Sequence, residues 1–136
     1  MESTCIFCKI VAGEVSSYKV YEDEKTLAFL DINPVNPGHT LVVPKKHVAD
    51  VFEIEDAEWD AVMKTARIMA HALERSLSPE GVNLTMNNRA GAGQVVFHAH
   101  VHIIPRVKND GHALWLQRAY RESEAQKIQE KINAAL

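Results

Sequence analysis

His98, His100 and His102 alternate with Ala99 and Val101 inside the run Val95-Val96-Phe97-His98-Ala99-His100-Val101-His102-Ile103-Ile104. Val, Ile and Phe favour extended backbone, so residues 95–104 are predicted to form one strand. Successive side chains on a strand point to opposite faces, which predicts Phe97, Ala99, Val101 and Ile103 on one face and the three imidazoles on the other. A solvated face with incidental histidines is one reading. A metal centre is a second, since His-x-His on a strand can bring two imidazoles to one ion, but the usual carboxylate partner is missing from this strand. Nucleophilic catalysis is a third: one imidazole attacks while its neighbours fix its tautomer and supply protons.

The surroundings of the run favour the third reading. Gly91-Ala92-Gly93-Gln94 precedes it, and glycines let backbone N–H groups approach a phosphate without side-chain obstruction. Asn87 ends the preceding predicted strand and offers a neutral amide for an anionic oxygen. His39, after Pro37-Gly38, opens another predicted strand and supplies a fourth imidazole. A second constellation is Cys5-x-x-Cys8, which reads either as a buried pair of small apolar groups or as half of a zinc site needing two more ligands. His71, off the apolar stripe of a helix, and His112, in a loop, carry no predicted role.

These residues need a scaffold, and apolar spacing supplies one. Residues 5–11 read as a short helix ending at Gly13, and 18–21 and 26–32 as two strands joined by the turn 22–25. Two prolines and a glycine make 33–38 a loop, followed by a strand over 39–43 that Pro44 closes. Trp59, Val62, Met63, Ala66, Met69, Ala70, Leu73 and Leu77 recur at spacings of three and four, predicting a helix over 56–77 with Asp56 as N-cap. Residues 82–86 form a fourth strand, 95–104 the fifth, and 123–136 a last helix with Ala125, Ile128, Ile132 and Ala135 or Leu136 inward. Strands are grouped rather than alternating strictly with helices. The predicted class is therefore α+β: a five-stranded, mainly antiparallel sheet, one long helix and short terminal helices in a single domain, 1–136.

With 136 residues the chain can bury a core without disulfides. Its 15 Lys+Arg against 18 Asp+Glu form no basic stripe, so neither nucleic acid nor an anionic membrane is the expected partner. The start Met1-Glu2-Ser3-Thr4-Cys5 shows no signal-peptide pattern and no apolar run is long enough to span a bilayer, so a cytoplasmic protein is expected.

Residues 94–104 resemble the signature of the histidine-triad (HIT) family of nucleotide hydrolases and transferases, His-φ-His-φ-His-φ-φ with φ apolar. The likeness extends to Ala28-Phe29-Leu30-Asp31-Ile32-Asn33-Pro34 and to Pro37-Gly38-His39-Thr40-Leu41-Val42-Val43-Pro44-Lys45-Lys46-His47. The central His-Ala-His sets the chain apart from the His-Pro-His branch of hexose-phosphate uridylyltransferases. The resemblance implies that His100 attacks the α-phosphorus of a purine nucleoside phosphoramidate, an aminoacyl adenylate or a dinucleoside polyphosphate, forming a nucleotidyl-histidine that water resolves. It implies that His102 and His39 orient His100 and move protons, and that Asn87, Gln94 and nearby backbone N–H groups hold the phosphate. Asp31 would take the ribose hydroxyls, and Phe7, Ile10, Val15, Phe29, Ile32 and Leu41 would enclose the base. It also implies a homodimer and no organic cofactor. Some bacterial members carry a Cys-Cys-His-His set, which makes Cys5, Cys8, His47 and His98 candidates for a structural zinc and removes His98 as a general acid. One departure is Val95, where many members have Ser or Thr with a hydroxyl for the leaving group. That departure keeps a different function open, a nucleotide-binding or scaffold protein with weak or vestigial catalysis. A metal-dependent hydrolase using His98, His100 and His102 on one ion is the third alternative.

Overall fold

The computed structural model describes residues 4–136 and forms, in chain order, α1 (Ile6–Val11), β1 (Lys19–Glu22), β2 (Thr26–Leu30), β3 (Thr40–Pro44), α2 (Asp56–Leu77), β4 (Gly81–Thr85), β5 (Val101–Arg106) and α3 (Glu124–Ala134). Met1, Glu2 and Ser3, part of the start expected to lack a leader, lie outside the described residues. The five strands pair in the order β1-β2-β3-β5-β4, and every pairing is antiparallel, as the α+β reading expects. Among the described residues no helix is long and apolar enough to cross a membrane.

Directly opposed residues of an antiparallel pair share a face of the sheet. Phe29 opposes Leu41 and Leu41 opposes His102, so these three lie on one face, while Ala28, Val42 and Val101 lie on the other. The second face is covered by α2, whose Val62, Ala66, Met69 and Leu73 pack on Ala28, Val42, Val101 and Ile103. Thr26 and Thr65, both buried, close a hydroxyl–hydroxyl bond of 2.8 Å across that layer, so neither oxygen is stranded. On the first face, α1 sets Phe7 and Cys8 against Leu27, Phe29, Leu41 and Val43. His102 thus looks toward α1, away from the α2 core.

The structure departs from the sequence expectations in three places that bear on function. The fifth strand begins at Val101, not at 95, so of the triad only His102 belongs to it. The preceding segment bonds to loops instead of a ladder, with Ala99 N–H donating to Val48 O at 2.7 Å. His98 and Ala99 are buried, and Phe97, expected beside Ala99, is 52% exposed. Second, the N-cap of α2 is Glu55, which makes no side-chain cap bond; Asp56 is the first helical residue and its charge still favours the helix N-terminus. Third, α3 buries none of its residues, and Ala125, Ile128, Ile132, Ala135 and Leu136 are exposed instead of inward. The helical period is present there, but the helix-bearing face of the sheet is already covered by α2.

Candidate active site and adjoining metal-ligand cluster

A cavity of about 530 Å³ opens on the α1 side of the sheet. Phe7 and Ile10 come from α1, Val15 from the segment after it, Phe29 from β2, and Leu41 and His102 from β3 and β5. Asp31, Ile32, Asn87, Val95 and His100 are among the residues that line the cavity from loops. Phe7 stands edge-on to Phe29 and to His100, with ring centroids 5.4 and 5.1 Å apart. Most of the wall is apolar, suited to a flat base, and its polar side chains include His100, His102, Asp31 and Asn87 together with Ser16, Ser17 and Asn33.

Hydrogen bonds fix the tautomer of each ring. His100 Nδ1–H donates to the backbone carbonyl of His98 at 2.7 Å, which leaves Nε2 as the basic nitrogen of a cavity-lining ring. His39 is buried behind His102 and does not line the cavity. Its Nδ1 accepts from the Val35 backbone N–H at 3.0 Å, so Nε2 carries the proton and donates it to His102 Nδ1 at 2.9 Å. His102 accordingly holds its own proton on Nε2, and its ring lies 4.9 Å from that of His100. Asp31 Oδ2 is 3.7 Å from His39 Nε2, while its Oδ1 accepts from Asn33 N–H at 2.8 Å. Burial pushes the His102 imidazole down to about 4, reinforced by the neighbouring His100 and His39. It also lowers His39 and His100, opposed by the Asp31 charge at both rings. The site is a set of neutral imidazoles at neutral pH.

His98 has another task. Its Nε2–H donates to Pro44 O at 2.7 Å, so Nδ1 presents a lone pair. That nitrogen is 3.5 Å from both Cys5 Sγ and Cys8 Sγ and 3.2 Å from His47 Nδ1, and Cys8 Sγ is 3.3 Å from His47 Nδ1. A tetrahedral zinc with ordinary Zn–S and Zn–N bonds separates its ligands by about 3.5 Å for S to N and about 3.3 Å for N to N. The four donor atoms thus form a possible metal site, and the two thiols are not joined as a disulfide. His98, His100 and His102 do not converge on one point, since His100 Nδ1 is committed to a carbonyl and His98 Nδ1 to the thiols. The single-ion triad is thereby set aside.

Gln94, implied as a phosphate contact, is buried and does not line the cavity. Its Oε1 accepts from Arg89 N–H at 2.7 Å and its Nε2 donates to Ala49 O and Val96 O at 2.6 and 3.1 Å, so the amide is consumed in holding the loop together. Asn87 does reach the cavity, with Nδ2 only 3.4 Å from Gly93 O, a long bond that a better acceptor can replace. Gly93 sits at φ +91°, a conformation other residues rarely adopt. Val95 is 84% exposed at the cavity wall, and its side chain carries no polar atom. Sequence reasoning passed over Val35, whose contribution is a backbone N–H that no side-chain pattern reveals.

The HIT domain profile matches residues 12–109. Protein hit of Bacillus subtilis is 47% identical over 132 residues, covering 94% of this chain and 91% of that protein. Adenosine 5'-monophosphoramidase HNT1 of Candida albicans is 36% identical, covering 98% and 92%. Adenylylsulfatase HINT3 of Arabidopsis thaliana is 38% identical over 89% of this chain and 60% of its own. Among solved structures, a HIT family member from Bacillus subtilis superposes with a TM-score of 0.91 at 43% identity, covering 98% of each chain. A zinc-bound histidine triad protein from Mycobacterium smegmatis gives 0.76 at 32% identity, again over 98% of each.

Proposed function

The chain belongs to the HIT domain family, and we propose that it hydrolyses purine nucleotides at the α-phosphate, acting on phosphoramidates, aminoacyl adenylates or dinucleoside polyphosphates. The observation that carries this reading is the 2.7 Å bond from His100 Nδ1–H to His98 O, which leaves a neutral imidazole with Nε2 as its nucleophilic atom. That nitrogen forms a P–N bond as the bond from phosphorus to the leaving amine or oxygen breaks. The departing group takes a proton, for which His102 Nε2–H, backed by His39, is the nearest histidine source. Water then attacks phosphorus, the P–N bond breaks, and the water proton restores the His39–His102 pair. Asn87 and the backbone around Gly93 hold the phosphate oxygens, and Asp31 accepts from the ribose hydroxyls. Phe7, Ile10, Phe29, Ile32 and Leu41 enclose the base. Positioning and charge stabilisation supply most of the catalysis in such a reaction. Relatives named for phosphoramidase and adenylylsulfatase activity support the substrate class.

The same reading assigns one zinc to Cys5, Cys8, His47 and His98, which tie α1 to the loops before β5. Thiols stay reduced in the cytoplasm, where we place the protein. A homodimer is part of the proposal, and size-exclusion chromatography with light scattering tests it.

Incubation with an adenosine phosphoramidate labelled at the α-phosphorus, quenched in alkaline denaturant, tests the covalent step. A burst of protein-bound label in the wild type and none in His100→Asn is expected. Turnover without label in a rapid-quench time course counts against the intermediate. A second reading, nucleotide binding with vestigial catalysis, is favoured by the apolar Val95 at the cavity wall. It prevails if nucleoside monophosphates bind while the whole substrate panel stays intact.

A further inference from the structure

Asp31 and His102 of the cavity wall and His39 behind them bring three potential ligand atoms together, a grouping able in principle to hold a cation. One backbone bond decides against that use. His39 Nδ1 accepts from the Val35 N–H, so a neutral His39 must be protonated on Nε2, the atom that faces His102 and Asp31. An Nε2 that bears a proton has no lone pair for a metal, and moving the proton to Nδ1 would set two N–H groups against each other. The Val35 N–H therefore selects proton transfer for this pair.

A fixed side-chain network holds that N–H in place. Asn36 Nδ2 donates to Pro105 O at 2.9 Å and to Asp110 Oδ2 at 3.0 Å. Arg106 binds both oxygens of Asp110 at 2.7 and 3.0 Å and also reaches Asn83 Oδ1 and His112 O at 2.8 Å. His112 Nε2–H in turn donates to Val35 O at 3.0 Å. The Asp110 side chain is only 5% exposed, and the Arg106 guanidinium beside it holds its carboxyl far below the ordinary range, so the pair stays charged at any working pH. Gly38, at φ +96°, presses the other end of the loop onto α2, where an added Cβ would stand 2.5 Å from Leu77 Cδ1. None of Asn36, Arg106, Asp110 or His112 lines the cavity.

We propose that Asn36, Arg106, Asp110 and His112 are positioning residues: they hold the 34–39 loop so that Val35 N–H keeps His39 as its Nε2–H tautomer, and thereby commit the His39–His102 pair to proton transfer rather than metal binding. The catalytic consequence rests on the function proposed above, whereas the tautomer assignment does not.

The test is ¹⁵N NMR of the histidine rings in the full-length, metal-replete protein, together with steady-state kinetics. The wild type should show an unprotonated, hydrogen-bonded Nδ1 and a protonated Nε2 at His39. His112→Ala removes an exposed side chain and should fold, and Asn36→Leu attacks the network from inside. Both should mix the two His39 tautomers and broaden the Nε2–H resonance. They should lower kcat at least about tenfold with KM little changed, part of the scale for general acid–base assistance. His112→Gln keeps a donor and should stay near the wild type. An unaltered His39 spectrum in folded His112→Ala and Asn36→Leu overturns the inference, whatever the rates. Mixed tautomers with an unchanged kcat would uphold the positioning role and count instead against the proposed relay.

Discussion

The backbone carbonyl of His98 accepts a hydrogen bond from Nδ1 of His100 at 2.7 Å, while the His98 ring turns its own Nδ1 to Cys5 and Cys8 at 3.5 Å. One residue therefore serves two sites with different parts of itself. Its main chain sets the tautomer of the proposed nucleophile and its side chain belongs to the metal-ligand cluster.

Replacing Cys5 and Cys8 together with Ser should release one zinc per chain and lower the unfolding temperature, because a closed four-ligand site contributes to folding free energy. His100 keeps its carbonyl partner, so turnover should persist at temperatures where the variant is folded. Metal analysis of the wild type comes first, and protein purified without chelator that contains no zinc rules out the assignment.

Asp31→Ala should weaken nucleotide binding by about 1–3 kcal/mol, the scale for hydrogen bonds to a charged acceptor. Binding of a 2′,3′-dideoxy analogue should hardly change. Calorimetric titration of both ligands decides the matter, since equal losses would show that Asp31 does not read the ribose.

Stability should fall in mild acid. The His102 imidazole lies at about 4 in the fold against an ordinary 6.5, so between those values the unfolded chain binds more protons than the folded one. Its contribution is present in full above pH 6.5 and is lost progressively as the pH falls toward 4. Buried His39, also lowered, acts in the same direction. Urea midpoints of the wild type and of His102→Gln, followed across this range, should converge as the pH drops. Parallel curves would mean that His102 does not drive the loss.

Val95→Ser should raise kcat for substrates whose leaving group accepts a proton from the new hydroxyl, because residue 95 stands at the cavity wall and is exposed. The effect would be of the same kind as a donor aimed at developing charge. A folded variant with an unchanged or lower rate would show that departure is assisted elsewhere.

The sheet and α2 were legible because Val62, Ala66, Met69 and Leu73 repeat with the helical period and the buried strands are rich in Val, Leu and Ile. The extent of β5 was not, since β-branched composition over 95–100 is identical whether the backbone pairs in a ladder or with the Val48 loop. The inward face of α3 misled for a related reason: periodicity reports that a helix is amphipathic, not that a surface awaits it. At the site, the resemblance to the HIT family pointed to Asp31 and the apolar wall, and side-chain type alone to His100, His102 and Asn87. Neither gave warning that Gln94 spends its amide on Arg89, Ala49 and Val96. Nor could either show Val35, which works through its backbone.

The contact between Cys5 and His98 joins positions 93 apart in the chain. The loop-closure entropy of so distant a meeting is met only when most of the intervening chain is in place, and contacts of this kind slow folding. A growing chain emerges from its N-terminus, so the α1 segment is made long before the residues that complete its docking site. Phe7 and Cys8 pack on Leu27, Phe29, Leu41 and Val43 of earlier strands, but until His98 is made the cluster of Cys5, Cys8 and His47 lacks its fourth donor and α1 its most distant tie to the fold.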